Sequence, residues 1–574
     1  MTRQKLFVSI LFIVATYLAF KNLSSAHLWD DEAEVAIFGK NLLNFGKLTG
    51  WDGRNLFAFS NGTTLDANMH STQPPLMFFV AAASFKLFGV STWSARLPFA
   101  LIGVLSLLVF WQIIKTELDA AAGPTPAASR IFSRAQLYCF ASLCLSTSFL
   151  LFIRNSRYYS LAIFFSLVTY YFYHRALKNP GLRYAIAVGL CATALFYAHF
   201  LLAAVLLGAL AVQHLIFERP ILRQQLLSTW LPAAGIFALL VVPYAITHRI
   251  WDRPDILPAV TPWYIRKPLL VLLSERDICL VNGLSLSIVV AILVCRFYVD
   301  RNDALLKTCM RWCCFTVLQL FFLGLLSPQE TAGADSIDTR YLAAVLPFGV
   351  ATMGMFFAYL EKFSRVLACT LLALVVCTNA LAIGRDPYHF RWILSAYHFR
   401  WILPAYLKEI HGPYPTGERA ATDYLRAHAR QDSQVLVLPS YNNLPVMFYA
   451  GDVIKTCCYF DDNSHLWQHG ADKLPIHGSS TRDFPDWIVV FGVVPQDVLQ
   501  YYSRRHVAAG GATEQFNYKL AAQLDAYGHN SQRPELERHH FGPVTDFNRG
   551  RSGVVIYTRE RNEPSSAASG RGPG

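Results

Sequence analysis

Charge is scarce in this chain. Asp, Glu, Lys and Arg together make up 15% of its residues against 54% hydrophobic ones, a balance that excludes an ordinary soluble domain. A disulfide scaffold is excluded as well. The twelve cysteines show no framework spacing, and Cys139, Cys191, Cys313, Cys314 and Cys377 lie within apolar runs, where they read as small hydrophobes. Cys457 and Cys458 are adjacent, which strains a mutual bridge, and they lack partners at metal-ligand spacing. No small-residue cleavage site follows the first apolar segment, residues 6–20, so it reads as a retained first span. What is left is a polytopic membrane protein.

The topology turns on residues 74–89, apolar for only about thirteen positions. That is too short to span and suits a helix lying in the interface. The later crossings then read as 96–114, 136–153, 158–173, 184–197, 201–217, 230–246, 278–297, 312–326, 341–359 and 366–383, about eleven in all with the first. This count puts Arg3, Lys5, Lys115, Arg130, Arg134, Arg175, Lys178, Arg183, Arg219, Arg223, Arg296, Arg301, Lys307, Arg311, Lys362 and Arg365 on one side. The positive-inside rule makes that side cytoplasmic, together with the N-terminus. Were 74–89 a true span, all but the N-terminal pair would face outward. The net charge of +12 is therefore a topological signal at an anionic inner leaflet and gives no reason to invoke nucleic acid.

The outward loops then collect the unusual polar chemistry. Asp30, Asp31, Glu32 and Glu34 follow the first span, preceded by His27 and Trp29; Thr72 to Pro75, Arg154 to Tyr159, His199, the loop 247–277 and the segment 335–341 face the same side. Carboxylates, arginines, a histidine and tyrosines gathered at one end of a helical bundle describe a membrane-level cavity that handles protons or cations. After residue 383 the hydropathy falls. YHFRWIL at 388–394 recurs at 397–403, and nine positions turn a helix by about 900°, so the copies face opposite sides. Helical periodicity at 418–429 and 443–450 and strands at 434–438, 486–491 and 553–557 predict a small α/β domain. The expected fold class is an all-α polytopic membrane domain (1–384), an interfacial aromatic and basic connector (385–410), an extracytoplasmic α/β domain (411–561) and a disordered Ser/Gly/Pro-rich tail (562–574).

The order of these pieces resembles a known family. His27-Leu28-Trp29-Asp30-Asp31-Glu32-Ala33-Glu34 is followed by a Gly/Asn-rich loop, Gln73-Pro74-Pro75-Leu76, Lys86 to Gly89, Ser94-Ala95-Arg96-Leu97-Pro98, and later Arg340-Tyr341-Leu342 with Leu346-Pro347. This resembles the GT-C superfamily of integral membrane glycosyltransferases, in the branch of the protein O-mannosyltransferases and the lipid A aminoarabinose transferase, over about residues 1–384. The resemblance implies sugar transfer from a polyprenyl-phosphate carrier to an extracytoplasmic acceptor, whether glycan, lipid or protein. It implies an Asp-Glu pair in the first outer loop, here Asp31 and Glu32. Asp31 is the implied general base, with Asp30 the alternative one residue away. Arg157 and Arg340 are the implied holders of the lipid phosphate, with Tyr158 and His199 beside them. Where the aminoarabinose transferase type has Lys-Pro-Pro, this chain has Gln73-Pro74-Pro75, which removes the cation at that turn.

The chemistry explains the residue types. A positioned carboxylate takes the proton of the attacking acceptor, worth ~10²–10⁴ in rate, and guanidinium forks match a phosphate leaving group. One base and no second nucleophile point to inversion in a single displacement. Plainer readings stand beside these. Asp30 and Asp31 also suit a helix N-terminus, Arg154, Arg157 and Arg340 suit headgroup anchors, Tyr158 and Tyr159 suit an interfacial belt, and His199 suits a buried hydrogen-bonding role. No cofactor is expected; Asp66 and His70 are the one pairing that raises a divalent cation. A secondary transporter should show paired repeats and Gly/Pro-broken helices, which this sequence does not display clearly, and a non-catalytic assembly factor should tolerate loss of Asp31.

Overall fold

The computed structural model describes residues 3–55, 73–122, 126–218, 223–248, 303–326, 339–378, 383–385, 392–394, 401–412, 415–438, 442–456, 485–492, 516–526 and 553–561, with isolated positions between 250 and 302. The first apolar helix, α1 (Arg3–Phe20), leads through a short turn to α2 (Asp30–Phe45), whose first turn carries Asp30, Asp31 and Glu32. Acids there face the positive end of the helix dipole. Gly46 ends α2 at φ +69° and returns its N–H to Leu42 O at 2.9 Å, a left-handed close that suits glycine.

Next comes α3, Leu76–Phe88, thirteen residues as the sequence predicts. Its length of about 20 Å falls short of the ~30 Å hydrocarbon core. Gly39 brings α2 close to it: an added Cβ would stand 3.0 Å from Ala81 Cβ. Phe38 and Phe78 meet across the same contact at 4.8 Å, while Phe79, Leu87 and Phe88 on the other face are exposed.

The bundle continues with α4 (Thr92–Ala121), α5 (Pro126–Cys144), α6 (Thr147–Ile153), α7 (Tyr159–Lys178), α8 (Leu182–Ala198), α9 (Phe200–Phe217), α10 (Leu231–Thr247), α11 (Ala304–Leu326), α12 (Leu346–Glu361) and α13 (Arg365–Cys377). Among the described residues four helices are long and apolar enough to cross a membrane alone: α4, α9, α11, and α10 together with its preceding π-turn, as Leu226–Thr247. Shorter apolar helices complete the bundle. The chain is a multi-pass membrane protein.

Three expected crossings differ. Residues 136–153 read as one span, yet α5 and α6 meet at 54°, because Ser146 leaves the helix and caps the next one by accepting from Phe149 N at 3.2 Å. The stretch 341–359 opens on the end of a 3-10 turn, Thr339–Leu342, and becomes α-helical from Leu346. The helix expected over 366–383 ends at Cys377, where Thr378 forms an isolated bridge with Trp401. Apart from isolated positions, the span expected at 278–297 lies outside the described residues, as do the tail and Cys457 and Cys458.

Beyond the bundle, β1 (Ile383–Arg385) pairs with β2 (Trp392–Leu394). The WIL of the first repeat is thus a strand, while that of the second opens α14 (Ile402–His411). This helix docks on the end of α1: Tyr406 donates to Leu18 O at 3.3 Å and Asn22 donates to Ile410 O at 2.8 Å. A five-stranded sheet follows, built from β3 (Ser433–Leu438), β4 (Ile454–Thr456), β5 (Trp487–Phe491), β6 (Phe516–Leu524) and β7 (Val554–Arg561) in the order β4-β3-β5-β7-β6. β3 runs parallel to β4 and β5, and the β5-β7 and β7-β6 pairs are antiparallel. α15 (Gly417–His428) and α16 (Asn443–Ala450) accompany it over a core of Leu425, Val435, Val437, Val446, Val489 and Ile556. The sequence marked β3, β5, β7 and both helices; it missed β4 and β6.

This unit sits on the first loop of the bundle. Tyr449 of α16 stacks on His27 at 3.7 Å, accepts from Leu28 N at 2.9 Å and shares a 2.6 Å hydrogen bond with Thr92. Asn55 donates to Gly451 O at 3.0 Å and accepts from Thr456 N at 2.8 Å.

Two buried arginines hold that loop from beneath. Arg96 on α4 donates to Leu23 O and Ala26 O, both at 2.9 Å, and grips Glu32 with Nε at 2.8 Å and Nη2 at 2.5 Å. Arg154 donates to Leu18 O, Ala19 O and Lys21 O at 2.8–3.1 Å. Carbonyls at a helix end have no partner within the helix; Arg154 supplies one at the end of α1, and Arg96 does the same for the turn that follows. Arg154 is buried, so it is no headgroup anchor. Glu32 is fully buried and also accepts from Ser156 N at 2.8 Å. Arg96→Met should destabilise the protein by about 3–5 kcal/mol, because it leaves a buried carboxylate uncompensated. Thermal unfolding in detergent measures this, and adding Glu32→Gln should recover part of the loss; an unchanged melting temperature would refute the clamp.

Candidate functional site

A helix turns about 100° per residue, so Asp31 and Glu34, three apart, share a face of α2 while Glu32 points away to Arg96. The shared face meets Arg157, which lies between α6 and α7. Arg157 Nη2 is 2.9 Å from Asp31 Oδ2, and its Nη1 donates to Glu34 Oε2 at 3.0 Å and to Asp31 O at 3.2 Å. Arg340, in the turn before α12, reaches the same Asp31 oxygen at 3.3 Å. One carboxylate thus engages two arginines from distant parts of the chain.

His199 sits at the junction of α8 and α9, where its Nδ1 accepts from Leu202 N at 3.4 Å and caps α9. Its ring packs on Tyr158 at 4.3 Å and on Tyr341 at 5.6 Å. Burial, with Arg340 and Arg157 adding positive charge, pushes its pKa down to about 3. The imidazole is therefore neutral, and with Nδ1 accepting, its proton sits on Nε2 as a donor. Arg157 lies 5.8 Å from the Tyr158 ring centre and Arg340 5.4 Å from that of Tyr341.

The structure thus brings together Asp31, Arg157, Arg340, Tyr158 and His199. Asp30 stands at the edge, its Oδ1 accepting from Asp31 N at 2.8 Å. Glu32 belongs to the Arg96 clamp.

Two members of the cluster, Glu34 and Gln73, are named by the sequence on the same side but are given no role at the site. Glu34 Oε1 accepts from Gln73 Nε2 at 2.5 Å, so the turn where the resembling enzymes carry lysine here closes onto a carboxylate. The three-residue spacing from Asp31 was the signal that could have revealed Glu34. Its pKa is raised to about 8: burial and the charges of Asp31 and Asp30 outweigh the pull of Arg157. For Arg157 the balance falls the other way, Asp31 and Glu34 outweighing burial, so it stays charged.

Asp31 is 22% exposed whereas Arg157 and Glu34 are buried. The cluster therefore offers one reachable carboxylate backed by two guanidiniums and a neutral imidazole. Such a set can accept a proton and bind an anion. Among the described residues no three His, Cys, Asp or Glu side chains gather as metal ligands, and Asp66 and His70 lie outside those residues.

Residues 72–247 match the family model of the dolichyl-phosphate-mannose-protein mannosyltransferases. The structure is similar to that of ArnT from Cupriavidus metallidurans in the apo state, with a TM-score of 0.51 at 13% identity over 88% of this chain and 97% of that one. ArnT bound to undecaprenyl phosphate gives 0.48 at 14% identity over 88% and 96%, and the Archaeoglobus fulgidus oligosaccharyltransferase in the apo form gives 0.40 at 10% over 85% and 69%. No curated protein matches the sequence. The chain thus matches that family model over residues 72–247, and its fold is similar to that of ArnT.

Proposed function

We propose that the chain is a membrane glycosyltransferase that moves a sugar from a polyprenyl-phosphate donor to an acceptor on the extracytoplasmic side. One observation carries this reading: Asp31, partly exposed, meets both Arg157 and Arg340 at one oxygen. A base and a phosphate clamp thus share one pocket. The matching family model is that of the dolichyl-phosphate-mannose-protein mannosyltransferases, which supports a polyprenyl-phosphate donor here. In this reading the bundle crosses the membrane about eleven times, the N-terminus is cytoplasmic, and the sheet unit of 411–561 stands outside over the site.

The reaction is a single displacement. The acceptor oxygen or nitrogen attacks the anomeric carbon from the side of Asp31, its proton passes to the Asp31 carboxylate, and the bond between the anomeric carbon and the phosphate oxygen breaks with inversion. The electron pair leaves with the polyprenyl phosphate. Arg157 and Arg340, released from Asp31 as the donor enters, meet the growing charge on that phosphate, and His199 and Tyr158 flank it as neutral polar partners. The requirement for positive charge is met by the guanidiniums, so the step as written calls on no metal or cofactor. The thirteen-residue α3 forms one lip of the entrance, and a tail that stays in the bilayer keeps donor and enzyme in one plane.

Asp31→Asn should lower transfer by ~10²–10⁴-fold while polyprenyl-phosphate sugar still copurifies, read by mass spectrometry of the extracted lipid alongside the transfer assay. Wild-type turnover in that variant would remove the base assignment. A pH dependence follows from Glu34. Above about pH 8 its carboxyl loses its proton and competes for Arg157, so transfer should fall on the alkaline side, and Glu34→Gln should flatten that limb. A pH profile identical in the two proteins would rule out this role for Glu34.

A further inference from the structure

A second polar cavity lies at the opposite end of the bundle. Arg157 lies two residues before the start of α7 and Lys178 ends it, and about twenty helical residues separate the two by ~30 Å, the thickness of a hydrocarbon core. The cavity holds about 300 Å³ among the ends of α4, α7 and α11, with Thr116, Glu117, Tyr171, Arg175, Lys178 and Arg311 in its lining. It touches none of the residues of the site described above.

The charges in this cavity do not cancel. Arg311 is held by Glu218 at 2.5 Å and by His174 at 3.1 Å. Glu117 accepts from Trp312 Nε1 at 2.7 Å and lies 3.8 Å from His174 Nε2. Arg175 is steadied by Tyr171, whose hydroxyl accepts from its Nε at 3.2 Å. Among the described residues neither Arg175 nor Lys178 has a carboxylate within ion-pair distance. Among the described residues Arg175 and Lys178 stand against the carboxylate of Glu117, with Arg311 and Glu218 offsetting each other, so the lining carries an excess of positive charge. An anion with several acceptor oxygens answers that excess, and Arg, Lys, Tyr and Thr donors suit phosphate oxygens.

We propose that this cavity is a second anion site, suited to a phosphodiester group, and that its ordinary occupant is the headgroup phosphodiester of a lipid in the inner leaflet. On the orientation proposed above this end faces the cytoplasm, where anionic lipid is concentrated. A headgroup fits the volume and its chains remain in the bilayer; a soluble phosphate compound shares the chemistry but carries more charge than the cavity offsets.

The test is native mass spectrometry of the full-length protein in detergent with added phosphatidylglycerol or phosphatidylcholine, and in parallel the melting temperature with inorganic phosphate. Phosphatidylglycerol should be retained by the wild type and about tenfold more weakly by Arg175→Gln/Lys178→Gln. Lys178 is exposed and Arg175 half-buried, and Lys178→Gln alone should show part of the loss with sugar transfer unchanged. If instead inorganic phosphate raises the melting temperature of the wild type and not of the double variant, the anion site stands with a soluble occupant. Equal lipid retention in all three proteins, with no cavity-dependent effect of phosphate, would overturn the proposal. None of these readouts depends on transfer at Asp31.

Discussion

The carbonyls at the end of α1 and in the turn that follows it are the constraint on which the site depends. A helix that runs within a few residues into another strands backbone oxygens in a buried place. Arg96 and Arg154 come from α4 and from the turn after α6 to satisfy them. Because Arg96 also grips Glu32 and Ser156 N–H binds the same carboxylate, the first loop and the turn carrying Arg157 are fixed to each other. Asp31 meets Arg157 because their immediate neighbours already meet.

α2 then divides its acids by face. Glu32, turned inward, is structural in its contacts, while Asp31 and Glu34, turned the other way, share one guanidinium. Three adjacent carboxylates look equivalent in a line of sequence, yet a helix separates their environments within a single turn. The raised pKa of Glu34, beside an arginine that Asp31 also engages, is the electrostatic result of that crowding.

Much of the fold was legible because long apolar helices and a short one declare themselves through length and hydropathy. The bounds of α3 were readable to the residue, since Pro75 and Gly89 punctuate it. Local punctuation also explains the misses. Ser146 breaks an apolar run through a side-chain cap that hydropathy does not register, and Thr378 ends α13 early through a contact with Trp401, remote in sequence. At the site, sidedness gathered the acids with residues 154–159, His199 and 335–341, and the family resemblance then singled out Asp31, Arg157, Arg340, Tyr158 and His199 among them. They could not sort Glu32 from Glu34, because that depends on which arginine each side chain reaches. β6 lies at the sheet edge, has mixed polarity and pairs only with β7, so its residues carried little alternation to read.

Tyr449 has an evolutionary corollary. One phenol hydroxyl from the sheet unit joins the backbone before α2 to the first residue of α4, and its ring covers His27. The two modules therefore cannot drift independently. A hybrid that kept this bundle but borrowed another sheet would need an aromatic alcohol at the same spot, or the acidic helix beneath would lose its upper fastening.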